Sequence, residues 1–357
     1  MHPGLDFKLV HGVVPGLPNV DPVGFSSEVR RQRSASFWGE QLIWQSAQVR
    51  LASREHADVL LLTWNSRFLS LLPALIRAKW NGVPTILFGH GYSRSRGDRF
   101  AGVRRAIARL STCVLVYSKS AGDELIRSGF DPARIFVALN SIDQGAVKRA
   151  TACWQEAPEK LEGWKVANGL ADGPFILFVS RLTPKARLDL LVEGFAAAVR
   201  KRPDLKLVVI GSGDESQLKD PAVRLGVWDR IKMVPATYDE QALAPYFLTA
   251  KLLLYPAAIG LTIIHAFSYG LPVVTNDDIP NHNPEIEAMN NGVNGMLYKS
   301  GNVQSMADMV LLVVNNESLR TSMSLAARTT AFEQFSLEVC IRGYITAIEH
   351  CLATRRV

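Results

Sequence analysis

The residues best placed to do chemistry lie between Leu252 and Gly295, in LLLYPAAIGLTIIHAFSYGLPVVTNDDIPNHNPEIEAMNNGVNG. A short apolar run up to Tyr255 reads as a buried strand. Pro256 and two alanines end it, and Gly260 lets the backbone turn into a helix near Leu261 and Thr262. Gly270 sits where a C-terminal glycine cap belongs, and Pro272 stops the helix. Val273–Thr275 make the next strand. A strand, a small-residue turn and a helix aim free backbone N–H groups at whatever sits above the turn, and the helix dipole favours an anion there. Glu287, five residues before Gly292, can accept hydrogen bonds from ligand hydroxyls.

Two further segments have the same build. In FILFVSRLTPKARLDLLVEGF, Phe175–Phe195, a buried strand ends at Ser180–Arg181 and a loop carrying Lys185 leads to an amphipathic helix. Gly211-Ser212-Gly213 follows the strand Lys206–Ile210; it lacks the third glycine of a dinucleotide fingerprint. In the first half, His90–Gly91 ends the strand ILFG, and Asn65–Ser66 end another. Strand C-termini are where open α/β sheets bind ligands.

The elements that must position these residues alternate. Strands are predicted at Phe7–Val14, Val59–Trp64, Thr85–Gly89, Cys113–Tyr117 and Ile135–Ala138. Helices are predicted at Ser34–Ser53, Phe68–Trp80, Phe100–Leu110 and Ser120–Arg127, the last opened by a Ser120/Asp123 capping box. Residues 144–174 read as an inter-domain linker with an entry helix. Further strands follow at Phe175–Ser180, Lys206–Ile210, Ile231–Val234, Lys251–Tyr255, Pro272–Thr275 and Met296–Tyr298. Ser336 is the predicted N-cap of a final amphipathic helix reaching Thr354. The alternation predicts an α/β fold with parallel, doubly wound sheets.

The chain has 357 residues, 48% apolar and 20% charged, which suits two globular domains. No apolar run is long enough to cross a bilayer, and the first residues do not read as a signal peptide. The four cysteines are scattered, without metal-ligand spacing, and read as reduced thiols of a cytoplasmic protein. Residues 1–150 carry 20 Lys+Arg and 11 Asp+Glu, a net +9; the remainder carries 20 and 22, a net −2. Arg94, Arg96, Arg99, Arg104 and Arg105 fall within twelve residues. A basic first half points to an anionic partner or to an ordinary solvated basic surface. Aromatic interleaving is too sparse for single-stranded nucleic acid. A nucleophile elbow, a Walker loop and a His-Glu-x-x-His zinc motif are all missing, and Asp277–Asp278 does not form a metal-binding Asp-x-Asp.

The combination of Pro256, Gly260, Leu261, Ala266, Gly270, Pro272, Val273, Val274, Glu287, Gly292 and Gly295 resembles the donor-site signature of retaining GT-B glycosyltransferases of family 4. The resemblance implies two Rossmann-like domains facing a central cleft: an acceptor-binding domain over residues 1–150, a nucleotide-sugar domain over 151–335, and a helix over 336–357 that crosses back to the first. It also implies a strand, loop and helix ahead of the segment Asp6–Gly12. It implies a UDP- or GDP-sugar donor, a saccharide or polyprenyl-linked acceptor, and no metal cofactor. The basic loop with Arg94, Arg96 and Arg99, together with Asn65, suits by its own charge an anionic lipid-linked acceptor or an anionic membrane surface. Arg181 corresponds to the family arginine on the donor diphosphate, a role its planar guanidinium suits. The family lysine falls at Ala186, with Lys185 and Arg187 on either side. His90 corresponds to a histidine on the donor sugar, Gly211 and Gly213 border the nucleotide, and Pro235–Tyr238 border the base. The family's Glu-x7-Glu is replaced by Ala257 and His265, a Gly-Leu-x-x-x-His form similar to polysaccharide-cluster enzymes. These departures leave two alternatives: a catalytically inactive relative serving as a scaffold, and a GT-B sugar-nucleotide epimerase or hydrolase.

Overall fold

A computed structural model describes residues 4–12, 26–29, 33–37, 40–91 and 101–354. The chain forms two compact units, Met1–Ala138 with Arg342–Val357, and Leu139–Ile341.

In the first unit, strands β1 (Lys8–His11) and β2 (Ser26–Val29) pair in parallel, and β3 (Arg33–Phe37) pairs antiparallel with β4 (Glu40–Trp44). The main sheet is four-stranded and parallel, in the sequential order β5 (Leu60–Thr63), β6 (Thr85–Gly89), β7 (Cys113–Val116) and β8 (Ile135–Val137). Helices Leu71–Trp80, Ala101–Ala108 and Lys119–Arg127 connect these strands. Leu62, Leu75, Leu87, Val114, Val116 and Leu125 form the core between sheet and helices. Each such buried side chain contributes about 1.5–3 kcal/mol, against about 0–1 kcal/mol for an exposed ion pair. The sheet core therefore dominates.

Three expectations need correction here. The helix predicted over Ser34–Ser53 is a hairpin arm followed by the short helix Ser46–Arg50. Aromatic and branched residues in Phe37 to Trp44 suit a strand, and the Ile43 N–H and carbonyl both bond the segment Arg67–Leu69. The cap of helix Lys119–Arg127 is Ser118, whose hydroxyl accepts from the Ala121 N–H at 3.2 Å, and not Ser120. Residues 144–174 are no linker: they hold helices Gln144–Gln155 and Pro158–Ala167, which belong to the second unit. The units accordingly divide at Ala138/Leu139 rather than after residue 150.

The final helix, Leu337–Thr354, has the predicted cap, with Ser336 Oγ accepting from the Val339 N–H at 3.2 Å. From Arg342 onward it belongs to the first unit. Gly343 lets it approach: a Cβ there would overlap the Val137 carbonyl oxygen. Cys351 Sγ lies 3.6 Å from Cys113 Sγ, both buried.

The second unit is built on a six-stranded parallel sheet. Its strands are β9 (Phe175–Val179), β10 (Lys206–Gly211), β11 (Ile231–Pro235), β12 (Leu253–Tyr255), β13 (Val273–Asn276) and β14 (Gly295–Tyr298), in the order β11-β10-β9-β12-β13-β14. Helices on both faces bury it, which is why β9, β10 and β12 read as continuous apolar runs. Among the described residues no helix is long and apolar enough to cross a membrane.

Candidate functional site

The chain leaves β9 toward β10 and β11, then returns to pair β12 with β9. At such a switch point the loops diverge and open a crevice at the strand C-termini. The two central strands are joined there by the Ser180 and Tyr255 hydroxyls, 3.1 Å apart.

Arg181 follows β9 and is exposed, as is Lys185 in the 3-10 turn Pro184–Ala186. Ala186, at the expected lysine position, is buried. Arg187 adopts a left-handed φ of 52° and grips Asp189 with Nε on Oδ1 at 3.0 Å and Nη2 on Oδ2 at 2.8 Å. That hydrogen bonding raises the Arg187 pKa and holds the Asp189 carboxyl below its usual range. Arg187 is thus engaged within the chain. Arg181 and Lys185 make no side-chain hydrogen bond or ion pair among the described residues, so they are the cations available at this loop.

Gly211 and Gly213 serve the chain itself. The Leu182 N–H donates to Ser212 O at 2.9 Å, and the Asp214 N–H donates to Leu182 O at 3.2 Å. A Cβ on Gly211 would overlap the Ser180 carbonyl oxygen, and one on Gly213 the Leu182 oxygen. The glycines let the loops after β9 and β10 zip together beside Arg181.

The loop after β12 is held from all sides. Asn276 Nδ2 donates to Pro256 O at 3.0 Å, and the Tyr298 hydroxyl donates to the same oxygen at 3.1 Å. Buried His282 accepts the Ile259 N–H on Nδ1 at 3.0 Å and donates from Nε2 to Asn276 O at 2.9 Å. The Asn283 N–H donates to Ile259 O at 3.0 Å. Gly260 lies against Asn283, where a Cβ would come 3.0 Å from Nδ2. Leu261 is exposed and Thr262 opens the helix Thr262–Ser268. The Ile263 N–H donates to Gly260 O and the His265 N–H to Leu261 O, both at 3.0 Å, while the N–H groups of Leu261 and Thr262 have no carbonyl partner among the described residues. The sequence signal for this cage is the string Asn281-His282-Asn283 ahead of Pro284.

His265 turns to the neighbouring helix Glu240–Thr249. Its Nε2 is 2.6 Å from Glu240 Oε1, and its ring packs 4.4 Å from that of Phe247. Glu287 is half-buried in the 3-10 turn Pro284–Ala288. The buried carboxylate of that turn is Glu285, whose Oε1 accepts from Asn140 Nδ2 at 2.7 Å. Asn140 and Glu285 were not singled out from sequence.

In the first unit, Asn65 and His90 stand at the C-terminal ends of the adjacent strands β5 and β6. Asn65 Oδ1 accepts from the Arg67 N–H at 3.0 Å, and exposed His90 meets the Tyr117 ring edge-on at 5.1 Å. Arg94, Arg96 and Arg99 lie outside the described residues.

The two units match two family models. Residues 10–145 match the Glycosyltransferase Family 4 model, and residues 162–330 match the Glycosyl transferases group 1 model. The chain belongs to the family 4 group of GT-B glycosyltransferases. It is similar to an uncharacterized glycosyltransferase of Haemophilus influenzae, 28% identical over 173 residues, covering 47% of each chain. It is also similar to the D-inositol 3-phosphate glycosyltransferase of Jonesia denitrificans, 26% identical over 282 residues, covering 72% of this chain and 64% of the relative. The chain therefore spans about half to two thirds of the length of these curated relatives. Anabaena HepE, solved with UDP, has the same fold at a TM-score of 0.67 and 17% identity, covering 85% of this chain and 81% of HepE. The GT-B fold accounts for the parallel sheet in each unit and for the return of the last helix to the first.

Proposed function

We propose that this glycosyltransferase moves a sugar from a nucleotide-diphospho-sugar to a saccharide or lipid-linked acceptor, with retention of configuration, in the synthesis of a cell-surface polysaccharide or glycolipid. The observation that carries the reading is the pairing, at the switch point of one sheet, of two unengaged cations with a caged turn at a helix start. Arg181 and Lys185 neutralise the diphosphate, and the N–H groups after Gly260 receive its oxygens. Bound UDP in Anabaena HepE supports a nucleotide donor.

In the reaction the bond from the sugar C1 to the diphosphate oxygen breaks and a bond from C1 to the acceptor oxygen forms on the same face. The acceptor proton passes to the departing phosphate. The protein contributes position and charge stabilisation of the leaving group. His90 and Asn65 belong to the acceptor-side unit in this reading, and no metal takes part.

Thermal unfolding with UDP, GDP, ADP and CMP tests the proposal. A ligand at about 100 times its dissociation constant adds about 2.7 kcal/mol, a shift of several degrees. A shift with one nucleotide supports the donor site and names its base; no shift with any of them counts against it. Ala257 and buried Ala186, which stand where the family has a glutamate and a lysine, favour one second reading, an inactive relative that keeps the fold. Sugar transfer by the purified protein would exclude that reading.

A further inference from the structure

Glu240 opens its helix directly after the loop that follows β11, on the strand-C-terminal side of the sheet. Its Oε1 accepts from two donors, His265 Nε2 and the Tyr269 hydroxyl, each at 2.6 Å. The donors are four residues apart and so share one helix face. Phe247, seven residues beyond Glu240 and on the same face of its helix, stacks on Tyr269 at 5.0 Å. The two helices thus clamp one carboxylate oxygen. The other, Oε2, makes no hydrogen bond among the described residues, and the side chain keeps 21% exposure.

A carboxylate repels a diphosphate, but it is a pure acceptor and takes hydrogen bonds from hydroxyls. The chain has Ala257 and His265 at the two positions where its family carries glutamates, yet the His265 ring ends on a carboxylate supplied by another helix. We infer that Glu240 is the carboxylate that receives vicinal hydroxyls of the nucleotide-sugar in this chain, and that His265 and Tyr269 are positioning residues that aim it. The inference rests on the donor-site reading above. The hydroxyls belong either to the ribose or to the transferred sugar, and binding measurements separate the two.

The experiment is isothermal titration of UDP, 2′-deoxy-UDP and UDP-glucose, or the guanine counterparts if GDP is the nucleotide bound, into wild type, Glu240→Ala, Glu240→Gln and His265→Asn. If the ribose is the partner, Glu240→Ala weakens the ribonucleotide about tenfold or more and weakens the 2′-deoxy form, which keeps only the 3′ hydroxyl, by less. If the transferred sugar is the partner, only the nucleotide-sugar weakens. In either case His265→Asn weakens the same ligands and adds nothing in the Glu240→Ala background, which a purely structural histidine would not do. Unchanged affinity for every probe in folded Glu240→Ala and Glu240→Gln overturns the inference alone. Failure of wild type to bind any probe overturns the donor-site reading and the inference with it.

Discussion

His282 and Ile259 are joined across 23 residues: the buried imidazole accepts the Ile259 N–H on Nδ1 at 3.0 Å. The same ring donates to Asn276 O from Nε2, so its tautomer is set by the fold. One side chain thereby ties the end of β13 to the turn after β12. The backbone N–H groups that follow Gly260 are held in place before any ligand arrives, which lowers the ordering cost of binding.

Replacing His282 should therefore cost both stability and binding. His282→Ala leaves the Ile259 N–H and the Asn276 carbonyl without their partner, about 1–3 kcal/mol for each buried group left unmade. Chemical denaturation is expected to show a lower midpoint with an unchanged slope. Nucleotide affinity should fall as well.

Arg181 and Lys185 should behave unlike Arg187. Arg181→Ala is expected to cut turnover at least about tenfold with little loss of stability, because the side chain is exposed. Lys185→Ala should weaken the donor. Arg187→Ala loses only the exposed pair with Asp189, about 0–1 kcal/mol, and should leave donor affinity near wild type. Steady-state kinetics on the three variants checks the order, and wild-type turnover in Arg181→Ala would remove that residue from the site.

Gly211→Ala should act on the fold and the site together. The added methyl meets the Ser180 carbonyl, part of the backbone rather than a flexible tip. Overpacking of this kind costs about 1–3 kcal/mol. A lowered Tm with a weakened nucleotide shift is the expected result.

The Glu240 carboxyl gives a pH signature. Burial alone would raise its pKa, but the hydrogen bond and charge of His265, with the Tyr269 hydroxyl, outweigh it and hold the carboxyl below its usual range. A depressed carboxyl contributes stability that is full above the unfolded value, about 4.3, and is lost as pH falls through the folded value. The stability difference between wild type and Glu240→Gln should shrink as pH falls below about 4.

Thiol reactivity should follow burial. Cys153 is exposed, Cys340 half-buried, and Cys113 and Cys351 buried in mutual contact. The contact with Cys351 and desolvation both push the Cys113 thiol up, away from the reactive thiolate. Titration with an aromatic disulfide is expected to modify Cys153 first, and Cys113 and Cys351 only on unfolding.

The sequence by itself determined the alternation of strands and helices, the two-domain plan, the last helix with its Ser336 cap, and the strand–turn–helix at Gly260. These depend on apolar periodicity, glycine and proline placement and local capping, all of which act over a few residues. The tertiary structure alone decided which polar groups meet. Nothing near His265 announces Glu240, nothing near Ile259 announces His282, and neither Arg187 nor Lys185 shows by spacing which of them Asp189 will engage. The hairpin at Arg33–Trp44 was hidden for the same reason: its strand state depends on the bonds Ile43 makes to Arg67 and Leu69. Such contacts join residues far apart in the chain, and their energy exists only once the sheet has brought the loops to one edge.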